Sequence, residues 1–404
     1  MIVMERHVLT RTRGDVTDDF VPEFCRQMLA SLKRHDQRTR GEWYVSGLLS
    51  VPGRKSMRAL ASVAEHGSAE QSLHHFISDS SWAWGPVRQA LARYLDRALL
   101  PQAWVIDSMA IPKAGAHSVG VEASFRSDLG RVVNSQQAYG VSLANDQLSV
   151  PVNWALDLPP KWLEDAERRR RARIPEGLAA LSVESAVVHL AAELSDPSWG
   201  LRRRPVVLDA RALDANALIE QFTHRGVPFV FRIDGSTRVI GRDPNRPGSP
   251  RQLLPAQQLA EQGKRMSQPV EWVDPEYSIR RSVLVNRCGV TMPSRRSPKL
   301  PSAPAPALTL VGGWPMQKGR PGELWLSNLR EDIPPAALLR LGRLTRRVGK
   351  DFAEISTRVG MRDFEGRSYA GWHRHVTLCS VAHAVQVLSS ARLQRFAASQ
   401  ELAS

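Results

Sequence analysis

The sequence predicts an α/β protein in which a mixed sheet follows an all-helical N-terminal domain. Residues 16–100 carry apolar side chains at helical spacing, whereas strand patterns with short connections begin at residue 103. Helices and strands then alternate over residues 183–233, which predicts parallel strands beside an antiparallel meander. These patterns place the sheet in the middle of the chain, with helices before and after it.

The chain has 404 residues, which is long for one domain, and four segments are expected along it. An N-terminal helical domain is expected over residues 1–100, and the first part of the sheet core over residues 101–235. Residues 236–308 combine Pro and Gly clusters with short strand patterns, which predicts a β-rich insertion. Within it, residues 301–306 alternate Pro with small residues, which indicates a stiff linker. Residues 309–404 are expected to complete the core and to end in helices.

The first helix of the N-terminal domain has a candidate N-cap at Thr17 or Asp18. Phe20 and Phe24 begin its apolar stripe, and the later helices of this domain are separated by Pro and Gly residues. The domain therefore has the pattern of a small helical bundle.

The first strand of the core runs from Trp104 through apolar residues into Asp107, and a second strand of the same design ends at Asp209. Because Pro112 cannot continue a hydrogen-bonded ladder, the first strand is expected to be short and to place Asp107 at its carboxyl end. That end of an α/β sheet is where ligands and metals bind. Two acids at the ends of two buried strands predict the beginning of a metal site.

The net charge of +15 is the strongest signal in the composition. It favours nucleic-acid binding through phosphate contacts. Arg greatly outnumbers Lys, however, and this bias is also typical of a GC-rich genome. Two basic groups are candidate phosphate ligands, although each is also explained by a solvated surface. They are Arg54 with Lys55, and Arg168, Arg169, Arg170, Arg171 and Arg173.

Other features of the sequence indicate the cellular compartment of the protein. The three cysteines lie far apart without CxxC spacing, which indicates a reducing compartment and no structural zinc. There is no long uninterrupted apolar run and no apolar N-terminal region typical of a signal peptide. A cytoplasmic bacterial protein without a membrane partner is expected.

Five motifs follow one another along the chain. They are Asp107-Ser108 with Pro112-Lys113, residues 117–121, the basic segment 162–175, residues 207–210 and residues 366–375. In these motifs and their order the chain resembles bacterial insertion-sequence transposases of the DDE superfamily. The resemblance implies a ribonuclease-H-like core interrupted by a β-rich insertion. It also implies that two Asp and one Glu hold two Mg²⁺ ions for phosphoryl transfer.

The chain departs from the family pattern at the positions of the metal ligands. The family's first block has two successive acids, and its ligand position falls on Ser108, whereas Asp107 is expected to point to the opposite face of the strand. Asp209 is in register, but the Gly-Tyr pair that follows it in the family is replaced by Arg211-Ala212. The Glu position falls on Gly349. Glu354, the nearest Glu, lies about 140° away around a helix.

The main hypothesis is a transposase-like protein that has lost the two-metal site and been co-opted for a role other than transposition. It would act as a repurposed enzyme or as a partner subunit, for example in a biosynthetic pathway, and would need no metal or other cofactor. Its former catalytic pocket is expected to contain Asp107, Ser108, Asp209, Lys350 and Glu354, with His117 as a further candidate. Acids beside a Lys are suited to acid–base chemistry, and a pocket without activity remains the alternative.

Two further hypotheses stay open. One is a DNA-binding regulator that kept the basic surfaces, and the other is a cut-and-paste transposase with Mg²⁺ on a shifted triad of Asp107, Asp209 and Glu354. A protein partner, a homodimer or duplex DNA is compatible with these hypotheses. His373 and His375 are two residues apart on a predicted helix, so they do not share a face and are expected to have packing roles.

Overall fold

The computed structural model describes residues 20–63, 69–126, 130–242, 252–275, 277, 279–293, 307–315 and 321–401. The candidate N-cap at Thr17 or Asp18 and the predicted linker at residues 301–306 lie outside these residues. No helix in the described part of the chain is long and apolar enough to cross a membrane.

Twelve α-helices and twelve β-strands form within the described residues. The helices are α1 (Phe20–Met28), α2 (His35–Ser50), α3 (Met57–Ala61), α4 (Ala69–Ser78), α5 (Trp84–Ala98), α6 (Pro160–Glu164), α7 (Ala166–Ala172), α8 (Val183–Ser195), α9 (Ala215–His224), α10 (Ala256–Gln262), α11 (Pro335–Asp351) and α12 (Tyr369–Glu401). A π-helical turn, Phe352–Ser356, follows α11.

The strands belong to one mixed sheet. They are β1 (Ala103–Pro112), β2 (Glu122–Arg126), β3 (Arg131–Ala144), β4 (Ser149–Leu156), β5 (Val206–Asp209), β6 (Phe229–Ile233), β7 (Arg238–Arg242), β8 (Leu253–Pro255), β9 (Gln268–Asp274), β10 (Ile279–Thr291), β11 (Leu308–Pro315) and β12 (Glu323–Ser327). The sheet order is β2-β3-β1-β5-β6-β12-β11-β10-β7-β8, while β4 pairs with β3 and β9 with β10. The predicted α/β class with a mixed sheet is confirmed.

The chain divides into two compact units. One comprises residues 1–91, 355–366 and 370–404, and the other comprises residues 92–354 and 367–369. The structure therefore groups most of α12 with the N-terminal helices, whereas residues 309–404 were predicted to complete the sheet core. The four-segment division itself remains a prediction.

Polar side chains of α12 explain its place in the first unit. Nε2 of His375 donates to the carbonyl oxygen of Gly360 at 2.9 Å, so its Nδ1 accepts from the hydroxyl of Tyr44 at 2.8 Å. The guanidinium of Arg374 donates to the carbonyl oxygens of Ile77 and Trp82 at 2.9 and 3.1 Å. Both predicted packing roles are confirmed, because His373 is also buried and interacts with Arg88.

The predicted β-rich insertion extends the core sheet. β10 pairs with β11 from Val283↔Pro315 to Val290↔Leu308, and it also pairs with β7 and β9. Residues 236–308 therefore contribute strands to the same sheet as β1 and β5.

β1 is longer than expected. It pairs with β5 only from Trp104↔Val206 to Ile106↔Leu208, but it stays paired with β3 as far as Pro112↔Ser135. A proline is tolerated there because β5 no longer flanks β1, so the missing N–H leaves no ladder bond unmade. The prediction that β1 ends near Asp107 was wrong. Asp107 instead lies where the β1–β5 ladder stops.

α11 packs across the centre of the sheet. Its residues Leu344 and Val348 belong to one buried cluster with Val105 of β1, Val207 of β5 and Val230 of β6. This packing identifies the sheet face that α11 covers, and it determines which acids share that face.

The close approach of α11 to β12 requires Gly342, because a Cβ atom added there would lie 2.6 Å from the ring of Trp325. We expect Gly342→Ala to lower the free energy of unfolding by about 1–3 kcal/mol, since overpacking outweighs the gain in helix propensity. Urea denaturation measures this change.

Gly349 on the same helix is the matched control, since an added Cβ would meet no atom within 4 Å. Gly349→Ala is expected to raise the free energy of unfolding by up to about 1 kcal/mol through helix propensity alone. Equal effects of the two substitutions would contradict the packing argument.

Candidate functional site

Asp107 and Asp209 share one face of the sheet. Val105 and Val207 are paired in the parallel β1–β5 ladder and both pack in the cluster under α11. Residues two positions further along a strand point to the same face, so the side chains of both acids lie on this side. Neighbouring strands are about 4.8 Å apart. Asp107 and Asp209 therefore lie on neighbouring strands, one residue beyond the last pair of the β1–β5 ladder.

Ser108 lies on the other face of β1. The expected orientation is thus reversed, because Asp107 rather than Ser108 is the side chain on the same face as Asp209. The reason is the register of β1, which stays regular against β3 through this segment, with Asp107↔Gly140 and Ser108↔Tyr139. The backbone N–H of Ser108 donates to Oδ1 of Asp107 at 2.8 Å.

Asp209 is held by two arginines, and we call Asp209, Arg211 and Arg232 the Asp209 cluster. Nε of Arg211 donates to Oδ1 at 2.9 Å, and its Nη2 donates to Oδ2 at 2.7 Å, which is a bidentate pairing. Nη1 of Arg232, the β6 neighbour of Asp209, lies 3.5 Å from Oδ2. Both oxygens of the carboxylate are therefore engaged by guanidinium groups.

These contacts set the charge of Asp209. Burial by itself would raise the pKa of the carboxyl, but the hydrogen bonds and charge of Arg211, with the charge of Arg232, hold the pKa below its usual value. The side chain is consequently anionic at neutral pH. Burial is also the main reason that the pKa of Arg232 is lowered, and the nearby charges of Arg211 and Arg346 lower it further.

The Asp209 cluster does not fit a pair of Mg²⁺ ions. Such ions need several negative oxygens, whereas the oxygens of Asp209 already accept from two cationic groups. Among the described residues, no group of three His, Cys, Asp or Glu side chains is arranged to hold a metal ion.

Lys350 and Glu354 form a separate contact. Nζ of Lys350 donates to the carbonyl oxygen of Pro275 at 2.7 Å and lies 3.8 Å from Oε1 of Glu354, whose side chain is more than half exposed. Within the described part of the chain, neither residue has a hydrogen bond or ion pair with Asp209. The structure does not bring them into a site with Asp209.

Asp351, the remaining acid on α11, has a structural role. Its Oδ2 accepts from the backbone N–H and the hydroxyl of Ser149 at 2.7 and 2.8 Å, and Arg347 donates to its Oδ1 at 3.2 Å. Burial raises its pKa against the opposing effect of these donors. The carboxyl thus anchors the end of α11 to β4.

The predicted nucleic-acid ligands in the first unit are not equivalent. Lys55 is buried, its ammonium donates to the carbonyl oxygen of Val51, and burial lowers its pKa. It is therefore not part of the surface on which it was expected. Arg54 is exposed but lies 3.1 Å from Oε1 of Glu365.

The arginines of the basic segment around α7 also differ from one another in their contacts. Arg169 donates to the carbonyl oxygens of Leu163 and Leu178 at 3.3 and 3.2 Å, so it holds the chain around α7 in place. Arg168 pairs with Asp165 at 3.1 Å, while Arg171 lies 3.6 Å from Glu167. Arg170 and Arg173 are exposed.

His117 lies in a different place from the Asp209 cluster. It lines a cavity of about 280 Å³ together with Trp162, Arg171, Ala172 and Arg367, which we call the Trp162 pocket. His117 and Arg171 were predicted as candidate site residues, but the sequence does not show that they are close together or that Arg367 lines the same cavity. The only available signal was that all of them fall within motifs of the family resemblance.

The sequence matches the family described as DDE superfamily endonuclease over residues 27–294, which is more than half of the chain. The chain belongs to this family. The predicted resemblance to DDE-superfamily transposases is confirmed by this match, and the α/β fold that it implies is confirmed by the structure. No curated protein matches the chain.

Replacing Arg211 tests the electrostatics of the Asp209 cluster. In Arg211→Ala the pKa of Asp209 is expected to rise, because burial persists while the bidentate donor is lost. Carbon-13 NMR titration of the aspartate carboxyls measures the change. A carboxyl whose pKa is lower in the folded than in the unfolded state stabilises the fold at pH values above its ordinary pKa. This contribution disappears as the pH falls through the lowered pKa of the folded state. The substitution should therefore weaken the acid dependence of stability.

Arg330→Ala is the matched control, because Arg330 donates to Asp332 with the same spacing and with distances of 3.1 and 2.8 Å. It should raise the pKa of Asp332, which Arg330 lowers, and leave Asp209 unchanged. An unaltered Asp209 titration in Arg211→Ala would show that the contacts with Arg211 do not set its charge.

Proposed function

We propose that this DDE-superfamily protein is transposase-like in fold, has lost two-metal nuclease chemistry and serves a role other than transposition. The observation that carries the proposal is the bidentate pairing of Arg211 with Asp209, the acid that the sequence pattern aligns with the family's second metal ligand. A guanidinium supplies there the positive charge that a metal would otherwise provide.

The third ligand position supports the same proposal. Gly349 stands where the family has Glu, and the space around it is open. The shifted triad of Asp107, Asp209 and Glu354 has less support, although the first two acids share a face. Glu354 is exposed and pairs with Lys350, so it offers no third carboxylate to Asp209.

The charge of Asp209 favours a binding role over acid–base catalysis. A carboxyl with a lowered pKa is a poor proton acceptor near neutral pH and holds no proton to donate. Lys350, the other proposed acid–base group, bonds to Pro275 rather than to Asp209. We therefore favour a partner subunit over a repurposed enzyme, and no cofactor is part of this proposal.

Calorimetric titration with Mg²⁺ and Mn²⁺ tests the loss of metal chemistry. The wild-type chain is expected to give no saturable two-site heat, because metal binding would have to displace Arg211 from Asp209. Two-site binding that Asp209→Ala abolishes would instead support a working transposase with Mg²⁺.

A variant designed to bind a metal complements this test, because it is expected to give a binding signal where the wild-type chain gives none. The double variant Arg211→Gly with Gly349→Glu removes the bidentate donor of Asp209, leaves only the longer contact with Arg232, and adds a carboxylate on α11. Residue 349 lies three residues after Arg346, so the two positions are neighbours on the surface of α11, and the charge of Arg346 acts on Arg232 of the Asp209 cluster. This variant should gain a saturable Mn²⁺ site, and a further Asp209→Ala change should remove it.

A DNA-binding regulator is the second candidate function. The observation that favours it is Arg170, which is exposed on α7 and has no carboxylate partner among the described residues, in a chain of net charge +15. Such a side chain can bind a phosphate without first breaking an ion pair.

The salt dependence of duplex binding tests this candidate. The logarithm of the association constant should fall with the logarithm of salt concentration by about 0.9 for each neutralised phosphate. Arg170→Ala should reduce that slope by about 1. Arg330→Ala, which removes an exposed arginine elsewhere, should leave it unchanged. A slope near zero in the wild-type chain would argue against DNA binding.

A further inference from the structure

We infer that the Trp162 pocket is a binding site for a phosphate group. Its lining consists of His117, Trp162, Arg171, Ala172 and Arg367, which come from three separate stretches of the second unit. The inference goes beyond the proposed function, because it concerns neither the Asp209 cluster nor the loss of metal chemistry.

The apolar wall of the pocket is held in a fixed position. Trp162 is buried, and its Nε1 donates to the carbonyl oxygen of Val121 at 2.9 Å, next to the segment that carries His117. The guanidinium of Arg168 lies 5.8 Å from the centroid of the indole ring. These contacts connect the chain after β1 to α6 and α7, so the pocket is formed by the fold rather than by one loop.

The polar part of the lining carries positive charge, and it contains no carboxylate among the residues that the structure describes. Arg367 is exposed and has no ion pair or hydrogen bond within the described residues. Arg171 has one ion pair, with Glu167 at 3.6 Å, and both side chains are more than half exposed. Such a surface pair contributes little free energy, so an anion can replace Glu167 without a large penalty.

The chemistry of these groups selects phosphate. A guanidinium presents parallel N–H donors that match two oxygens of a phosphate, and two guanidinium groups can neutralise its charge. The imidazole of His117 adds a further donor. A cavity of about 280 Å³ holds the phosphate with only a small attached group, against Trp162. Both the terminal phosphate of a nucleic-acid strand and a small phosphorylated molecule present this chemistry.

The pocket is also separated from Asp209 along the chain. His117 follows the end of β1 at Pro112, and Pro112 lies about 17 Å beyond Asp107 at the usual rise of a strand. Losing the metal ligands would therefore leave phosphate binding intact, so the two proposals can fail independently.

Phosphorus-31 NMR titration and competition calorimetry on the full chain test the inference. The probes are inorganic phosphate, phenyl phosphate, and a short duplex with and without a 5′-phosphate. Wild-type protein should bind inorganic phosphate saturably, and Arg367→Ala should weaken this binding about tenfold by removing a charge-assisted bond. Arg367→Lys should restore part of the affinity.

Arg330→Ala is the control for inorganic phosphate, because Arg330 is an exposed arginine that pairs with Asp332 and does not line the pocket. It should bind phosphate like the wild type, and thermal denaturation should show that both variants remain folded. If only phenyl phosphate competes with inorganic phosphate, the result supports a site whose natural ligand is a small phosphorylated molecule. If the 5′-phosphorylated duplex competes and its unphosphorylated form does not, the result supports a site for the terminal phosphate of a nucleic-acid strand. No saturable phosphate binding, or equal losses in Arg367→Ala and Arg330→Ala, would overturn the inference.

Discussion

The packing of α11 on β1, β5 and β6 is the constraint on which the candidate site depends. Val105, Val207 and Val348 meet in one buried cluster, and Gly342 lets the helix approach the ring of Trp325. Once the valines face α11, the alternation of a strand places Asp107 and Asp209 on the same side. The position of the two acids is thus a consequence of apolar packing that has no chemical role of its own.

Arginine compensates several of the buried or half-buried acids of this sheet. Glu323 is buried beside Trp325 and bonds to Arg343, with Nε at 3.0 Å, and Asp274 is buried and lies 2.8 Å from Arg281. Removing a carboxylate from water is costly unless a positive group lies nearby. The pairing of Asp209 with Arg211 follows the same rule, which explains how the fold keeps a half-buried acid at this position.

Sequence patterns predicted the fold class and the second strand well, because apolar periodicity reports directly on burial. They failed at Pro112, since the effect of a proline depends on whether a neighbouring strand needs its N–H. They also failed at Lys55, whose burial results from tertiary packing that no local pattern reveals. Arg211 was noticed as a departure from the family, but its bond to Asp209 depends on side-chain geometry. The Trp162 pocket joins residues from distant segments, and a single sequence contains no signal of their proximity.

The contacts of Asp209 show how a half-buried acid keeps its charge in this fold. Without a counter-charge, burial alone would raise the pKa of the carboxyl. The hydrogen bonds and charge of Arg211, together with the charge of Arg232, reverse that effect. Because Arg211 lies only two residues after Asp209, the compensating donor comes from the same short segment at the end of β5. The charge of Asp209 is therefore balanced by neighbouring side chains of the same chain, as it is for the other acids that arginines pair with in this sheet.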